Sequence, residues 1–197
     1  GDVYKRQILL APQLASGLIG HLLGAISGGA QYRKATFLLD SVGQQVLPDW
    51  LSLQESPLLP RSLGAAYFDG DGVATRDNCF VANGILQSYV LSEYSARKLG
   101  LQTTANAGGV HNLSLHGPSV NPAKLFKEMG TGLYICELMG QGVNGVTGDY
   151  SRGAAGYWVE NGEIVYPVDE FTIAGNLRDM LKEICLLYTS PSPRDTG

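Results

Sequence analysis

The stretch GQGVNGVTGDYSRGAAGYWVENGE, residues 140–163, decides the fold. Asn161-Gly162 stands between two apolar and aromatic runs, residues 154–160 and 163–166. Asn-Gly readily takes the positive φ angles of a tight two-residue turn, so this pair predicts an antiparallel hairpin. Asn144-Gly145 marks a second turn. The glycines between the two turns predict bulges or places where backbone approaches backbone. Among them lie Asp149, Tyr150, Ser151 and Arg152. In one reading they are a surface for an extended peptide that adds as a strand, with Arg152 gripping a carboxylate and Asp149 orienting it. In the other they form a bulged sheet corner whose turn an Asp149–Arg152 pair fixes. Composition favours neither strongly enough to discard the other.

Working outward, residues 171–174 read as a short strand. Asn176 caps a helix in which Leu177, Met180, Leu181 and Ile184 share one face. Upstream, residues 133–138 read as a buried strand. Asn121-Pro122 opens a helix that ends at Gly130, and residues 110–115 alternate as a strand. Ser92 caps a helix with Glu93 in its first turn, Arg97 and Lys98 in its last, and Gly100 after it. Asn83-Gly84 predicts another hairpin, between residues 76–82 and 85–91. Residues 50–66 look extended or irregular. Leu14, Leu18, Leu22 and Ile26 form a helical stripe ended by Gly28 and Gly29, and a second helix is expected over 36–46, stopped by Pro48. Hairpins mixed with short helices give an α+β fold: an antiparallel β-sheet, partial barrel-like, with several short flanking helices.

The chain has 197 residues, a size that suits one domain. Its formal net charge is −4, which lacks the basic footprint of a nucleic-acid binder. The longest apolar stretch, residues 14–26, is interrupted by glycine and His21 and is shorter than the ~20 residues a membrane helix needs. No nucleic-acid or membrane partner is expected, and the expected location is cytoplasmic. The three cysteines, Cys79, Cys136 and Cys185, form no CxxC pair, so neither a disulfide framework nor a cysteine zinc site is expected. Residues 1–7 and 186–197 read unlike the interior and are expected to be non-native tails around a single, incomplete domain at 8–185.

No GxxxxGK[ST], GxSxG or HExxH pattern occurs. The run Asp69-Gly70-Asp71-Gly72 lacks the later ligands of a calcium loop and reads as a turn. His21 reads as a packed helix histidine. His111 and His116 lie five apart across a strand, hence on opposite faces, and cannot readily share a metal.

The segments SGLIGHLLGAISGG (16–29), YRKATFLLDSVGQQVLPDW (32–50), EYSARKLG (93–100), NAGGVHN (106–112), KEMGTGLY (127–134), ELMGQGVNGVTGDYSRGAAGYWVENGEIVYP (137–167) and TIAGNLRDM (172–180) resemble the TldD/PmbA family of peptidases. The resemblance is to its PmbA (TldE) branch and to about the C-terminal half of a member. It implies a cytosolic assembly in which a TldD-type chain pairs with a PmbA-type chain around a chamber that admits only unfolded or flexible peptides. In the TldD-type chain an HExxxH helix and a later cysteine hold zinc. At that helix position this chain reads Ser16-Gly17-Leu18-Ile19-Gly20-His21, with Ser16 and Gly17 where the first histidine and the glutamate would stand. The resemblance therefore implies a non-zinc subunit that shapes the peptide chamber and supports the zinc-bearing partner. No catalytic residue and no metal ligand is expected in this chain. Asp149, Tyr150, Ser151 and Arg152 are the first candidates for substrate or partner contact, with His111 and Asn112 second. An active metallopeptidase in its own right and a non-catalytic peptide-binding scaffold are the alternatives.

Overall fold

The protein is described here by a computed structural model covering residues 7–118 and 121–184. Its elements run β1 (Ile8–Leu10), α1 (Pro12–Ala25), α2 (Gly28–Tyr32), β2 (Ser52–Glu55), β3 (Asn78–Ala82), β4 (Ile85–Leu86), α3 (Glu93–Leu99), β5 (Leu113–His116), α4 (Pro122–Met129), β6 (Gly132–Met139), β7 (Asp149–Glu160), β8 (Glu163–Asn176) and α5 (Leu177–Lys182). The fold is α+β as expected, but the strands form two open four-stranded sheets, ordered β1-β6-β7-β8 and β4-β3-β2-β5. All pairings are antiparallel except β1 with β6. Of the two expected end segments only Gln7 is described. Its carbonyl accepts a hydrogen bond from Leu133 N. Cys185 lies outside the described residues.

Local chemistry accounts for several boundaries. Asn161 and Gly162 take φ of 52° and 77°, and Asn83 and Gly84 take 47° and 79°, as two-residue hairpin turns require. Ser92 and Ser95 form a reciprocal capping box on α3, closed by Gly100 in the left-handed region. The side chains of Asn121 and Asn176 cap α4 and α5. The β7–β8 hairpin runs further than its sequence suggests, because β8 joins residues 163–166 and 171–174 into one strand.

Three expectations need correction. Residues 36–46 form turns, not a helix. Thr36 Oγ1 donates to the Ala25 carbonyl at 2.7 Å, and Gln31 Nε2 donates to the carbonyls of Ala25 and Leu38, both at 3.0 Å. Of the groups so engaged, the Leu38 carbonyl is one a helix over 36–46 would need for itself, and Asp40 takes a φ of 51°. Gly28 and Gly29 do not simply end the first helix. Ser27 caps a second one, α2, and Gly28 lets it press on α3, since a Cβ there would lie 2.3 Å from Ser95 Oγ. The strand expected over 85–91 shrinks to Ile85–Leu86.

One core joins the two sheets. Leu22 of α1 and Ile26 just after it pack with Leu47, Leu51, Leu53, Phe80 and Leu86, and with Tyr150, Leu177 and Leu181 from the other sheet and its helix. Among the described residues no helix is long and apolar enough to cross a membrane.

Candidate functional site

One largely exposed side of α1 is built from small residues and one imidazole. Gly17, Gly20 and Gly24 fall three and four apart on one side of the helix, and a Cβ added at any of them would meet nothing within 4 Å. Each costs helix propensity of about 1 kcal/mol relative to alanine, so packing must hold α1. A cleft of about 260 Å³ opens there, lined by Gly20, His21, Gly24, Ala25, Ala35, Phe37, Gly145 and Leu177. The His21 ring meets the buried Tyr150 ring edge to face, with centroids 6.2 Å apart.

Strand alternation divides the four candidates on β7. Tyr150 and Arg152 share the face toward α1, while Asp149 and Ser151 point to the other and are exposed. The expected Asp149–Arg152 partnership therefore does not form. The Asp149 carboxylate instead accepts from Thr147 Oγ1 at 2.9 Å and from Asn176 Nδ2 at 3.4 Å, steadying the turn before β7 and the start of α5. Arg152 Nε is buried without a hydrogen-bond partner. Burial, and secondarily the Arg152 charge, push the His21 pKa down from its ordinary value.

That direction has a testable sign. The unfolded chain binds the His21 proton more readily than the folded one. His21's contribution to stability is thus present above the ordinary histidine value near ~6.5 and is lost as pH falls through it toward the lowered folded value. In Arg152→Gln the His21 pKa is expected to rise only part of the way, because burial is the larger cause. Imidazole NMR titration checks this; an unchanged midpoint would remove Arg152 as a cause.

His111 and Asn112 lie elsewhere, on the loop leading into β5 of the second sheet. The centre of that region is Glu55, which sequence reading passed over. Its carboxylate is buried, and accepts from Asn78 Nδ2 at 2.7 Å, from Asn106 Nδ2 at 2.7 Å and from the His111 backbone N–H at 2.6 Å. His111 Nδ1 sits 3.7 Å from the same carboxylate, and is buried without a hydrogen-bond partner. Asn112 Nδ2 donates to the Ser56 carbonyl at 3.1 Å, and the Ser62 hydroxyl bonds Asn112 Oδ1. Asp69 takes backbone N–H bonds from Asp71, Val73 and Ala107. Burial pushes its pKa up, but those bonds and the nearby His111 bring it below the ordinary aspartate value. His111 and Asn112 thus belong to a polar knot that anchors a long loop, not to the cleft at His21. The signal for Glu55 was available: Leu51, Leu53 and Glu55 alternate inward, so Glu55 occupies a core position.

The model of the PmbA/TldA metallopeptidase C-terminal domain matches residues 4–192. The chain belongs to this family. It is 56% identical over 180 residues to Metalloprotease PmbA of Escherichia coli O157:H7, covering 91% of this chain and 40% of that protein. It is 54% identical over 179 residues to a Metalloprotease PmbA homolog of Haemophilus influenzae, covering 90% and 40%. Among solved structures it resembles TldE from Thermococcus kodakarensis at 26% identity with a TM-score of 0.78, covering 89% of this chain and 42% of that one. It also resembles a Bacteroides thetaiotaomicron protein described as a candidate modulator of DNA gyrase, at 30% identity with a TM-score of 0.85, covering 95% and 42%. The chain thus spans about two fifths of the length of the curated relatives it matches.

A metallopeptidase family implies a metal, and α1 is the place to test the fit. The Ser16 hydroxyl donates back to the Gln13 carbonyl at 2.8 Å. Gly17 has no side chain to serve as a base, and the imidazole of His21 stands within the field of a cation. Among the described residues no three His, Cys, Asp or Glu side chains gather. A hydrolytic zinc needs about three protein ligands and an open position for water. These PmbA/TldA-family residues do not fit one.

Proposed function

We propose that this chain is the C-terminal domain of a TldE-type, non-zinc subunit of a TldD/TldE metallopeptidase. It shapes the chamber for unfolded or flexible peptides and supports the partner that holds zinc, in the cytoplasm. What supports this reading above all is the donor set of α1, where Ser16 is turned onto its own helix, Gly17 replaces a base and His21 packs on Tyr150 beside Arg152. The likeness to TldE of Thermococcus kodakarensis points the same way.

The test uses the full-length protein, alone and with its TldD-type partner. Purified alone and dialysed free of loosely held metal, it is expected to contain almost no zinc. About one tightly held zinc per chain would overturn the reading. In the assembled pair, Arg152→Ala is expected to lower peptide turnover roughly tenfold while assembly persists. Equal turnover would take Arg152 out of the chamber.

A further inference from the structure

The cleft beside α1 is walled without charge. Apart from three glycines its walls are Ala25, Ala35, Phe37, Leu177 and the His21 ring. Burial, ahead of the Arg152 charge, holds the His21 pKa below its ordinary value, so near neutral pH the ring is a neutral imidazole with one nitrogen to donate and one to accept. Among the described residues neither nitrogen has a hydrogen-bond partner, and the ring's aromatic contact is the edge-to-face one with Tyr150. Gly145 brings a second free polar group to the cleft. Its carbonyl accepts from Phe37 N at 3.2 Å, while its N–H has no partner among the described residues. Apolar walls with a few unspent polar groups are the pattern of a ligand site. Size narrows the ligand. A dry apolar cavity of about 150 Å³ holds benzene, so an open cleft of about 260 Å³ has room for one aromatic ring, not for a strand running through. Gly20 and Gly24 lie one turn apart, and a Cβ on either would meet nothing within 4 Å, which leaves a furrow along the helix for a flat ring. Phe37 and the imidazole offer such a ring edge and face contacts that an aliphatic side chain cannot make. A charged side chain would lose its hydration there and find no counter-charge in the walls.

We propose that this cleft is a subsite for one uncharged aromatic side chain of a peptide, of the phenylalanine kind, with the His21 ring and the Gly145 N–H bonding the peptide's own amide groups. The subsite rests on the chamber-subunit reading only in requiring that peptides reach this face. The aromatic ring leaves water for the apolar walls, and the neutral imidazole serves an amide as donor or acceptor without requiring a charge.

The experiment is an NMR titration of the full-length protein by itself, following the His21 ring and the Gly145 N–H. The probes are acetyl-Gly-Phe-Gly-amide and the same capped peptide with leucine or lysine in place of phenylalanine. The phenylalanine peptide is expected to shift both resonances saturably. The leucine peptide is expected to bind roughly fivefold more weakly, and the lysine peptide to leave both resonances in place. Gly20→Leu fills the furrow from a position with open space around it and is expected to abolish binding. Gly20→Ala takes less volume and is expected to weaken binding several-fold in a folded protein. No saturable shift with the phenylalanine peptide, or unchanged binding to both Gly20 variants, would overturn the proposal. Equal affinity for the leucine peptide would overturn the assignment to an aromatic ring, and equal affinity for the lysine peptide the assignment to an uncharged side chain. Binding is read apart from zinc content and turnover, so the failure of either reading is seen separately.

Discussion

Glu55→Ala is expected to destabilise the protein by about 3–5 kcal/mol, the range for removing one partner from a buried charged network. Three donors converge on this carboxylate at 2.6–2.7 Å: Asn78 Nδ2, Asn106 Nδ2 and the His111 N–H. Truncation leaves all three in a region with little access to water, and each orphaned donor costs about 1–3 kcal/mol. The network also ties together parts of the chain more than 20 residues apart, since Asn78, Asn106 and His111 come from β3 and the loop before β5. Glu55→Gln keeps one oxygen but presents an NH₂ group where donors already point, so a smaller loss of about 1–3 kcal/mol is expected. Urea unfolding of the full-length protein measures both. A midpoint for Glu55→Ala within ~0.5 kcal/mol of wild type, the range of ordinary surface substitutions, would show that the knot around Glu55 does not hold the loop.

Gly156→Ala is expected to break the β6–β7 ladder, at a cost of about 3 kcal/mol or more. A Cβ at this position would lie 1.9 Å from the Tyr134 carbonyl oxygen and 3.0 Å from Ile135 Cα. Both obstacles are backbone, so no rotamer change relieves them. Gly156 sits where the β7 register shifts against both neighbours, and the bulge brings the chains this close. Loss of amide protection along 132–139 and 149–160 in hydrogen exchange would report the damage. Gly20→Ala is the contrast. With nothing within 4 Å and a better helix former in place, it is expected to be neutral or to stabilise by up to ~1 kcal/mol. Equal costs at the two positions would refute the distinction between glycines that permit contact and glycines that leave space.

That distinction marks the limit of sequence reading. The density of glycine at 140–163 predicted close backbone approach, and Gly142 and Gly156 provide it: a Cβ on either would fall within 2 Å of a carbonyl oxygen. Composition could not separate these from Gly145, which meets nothing. The Asp149–Arg152 pairing failed for a simpler reason. Residues three apart on a strand face opposite ways, but this is usable only once residues 149–152 are known to be strand and not turn. The helix expected over 36–46 failed because Gln31 and Thr36 bind backbone carbonyls up to eleven residues away.

What the sequence by itself determined lies within a few residues of its cause: the Asn-Gly turns, the Ser92, Asn121 and Asn176 caps, the apolar stripe of α1, and through them an antiparallel α+β fold. A turn or cap is a contest between backbone conformations of adjacent residues, and one side chain can decide it. Only the tertiary structure decided that the strands part into two sheets, that Glu55 gathers donors from three distant positions, and that no carboxylate among the described residues pairs with Arg152. Those outcomes depend on which surfaces meet after loops of twenty to more than a hundred residues have closed. Burial then sets the worth of every charge and donor by what lies across the gap, which no local pattern encodes.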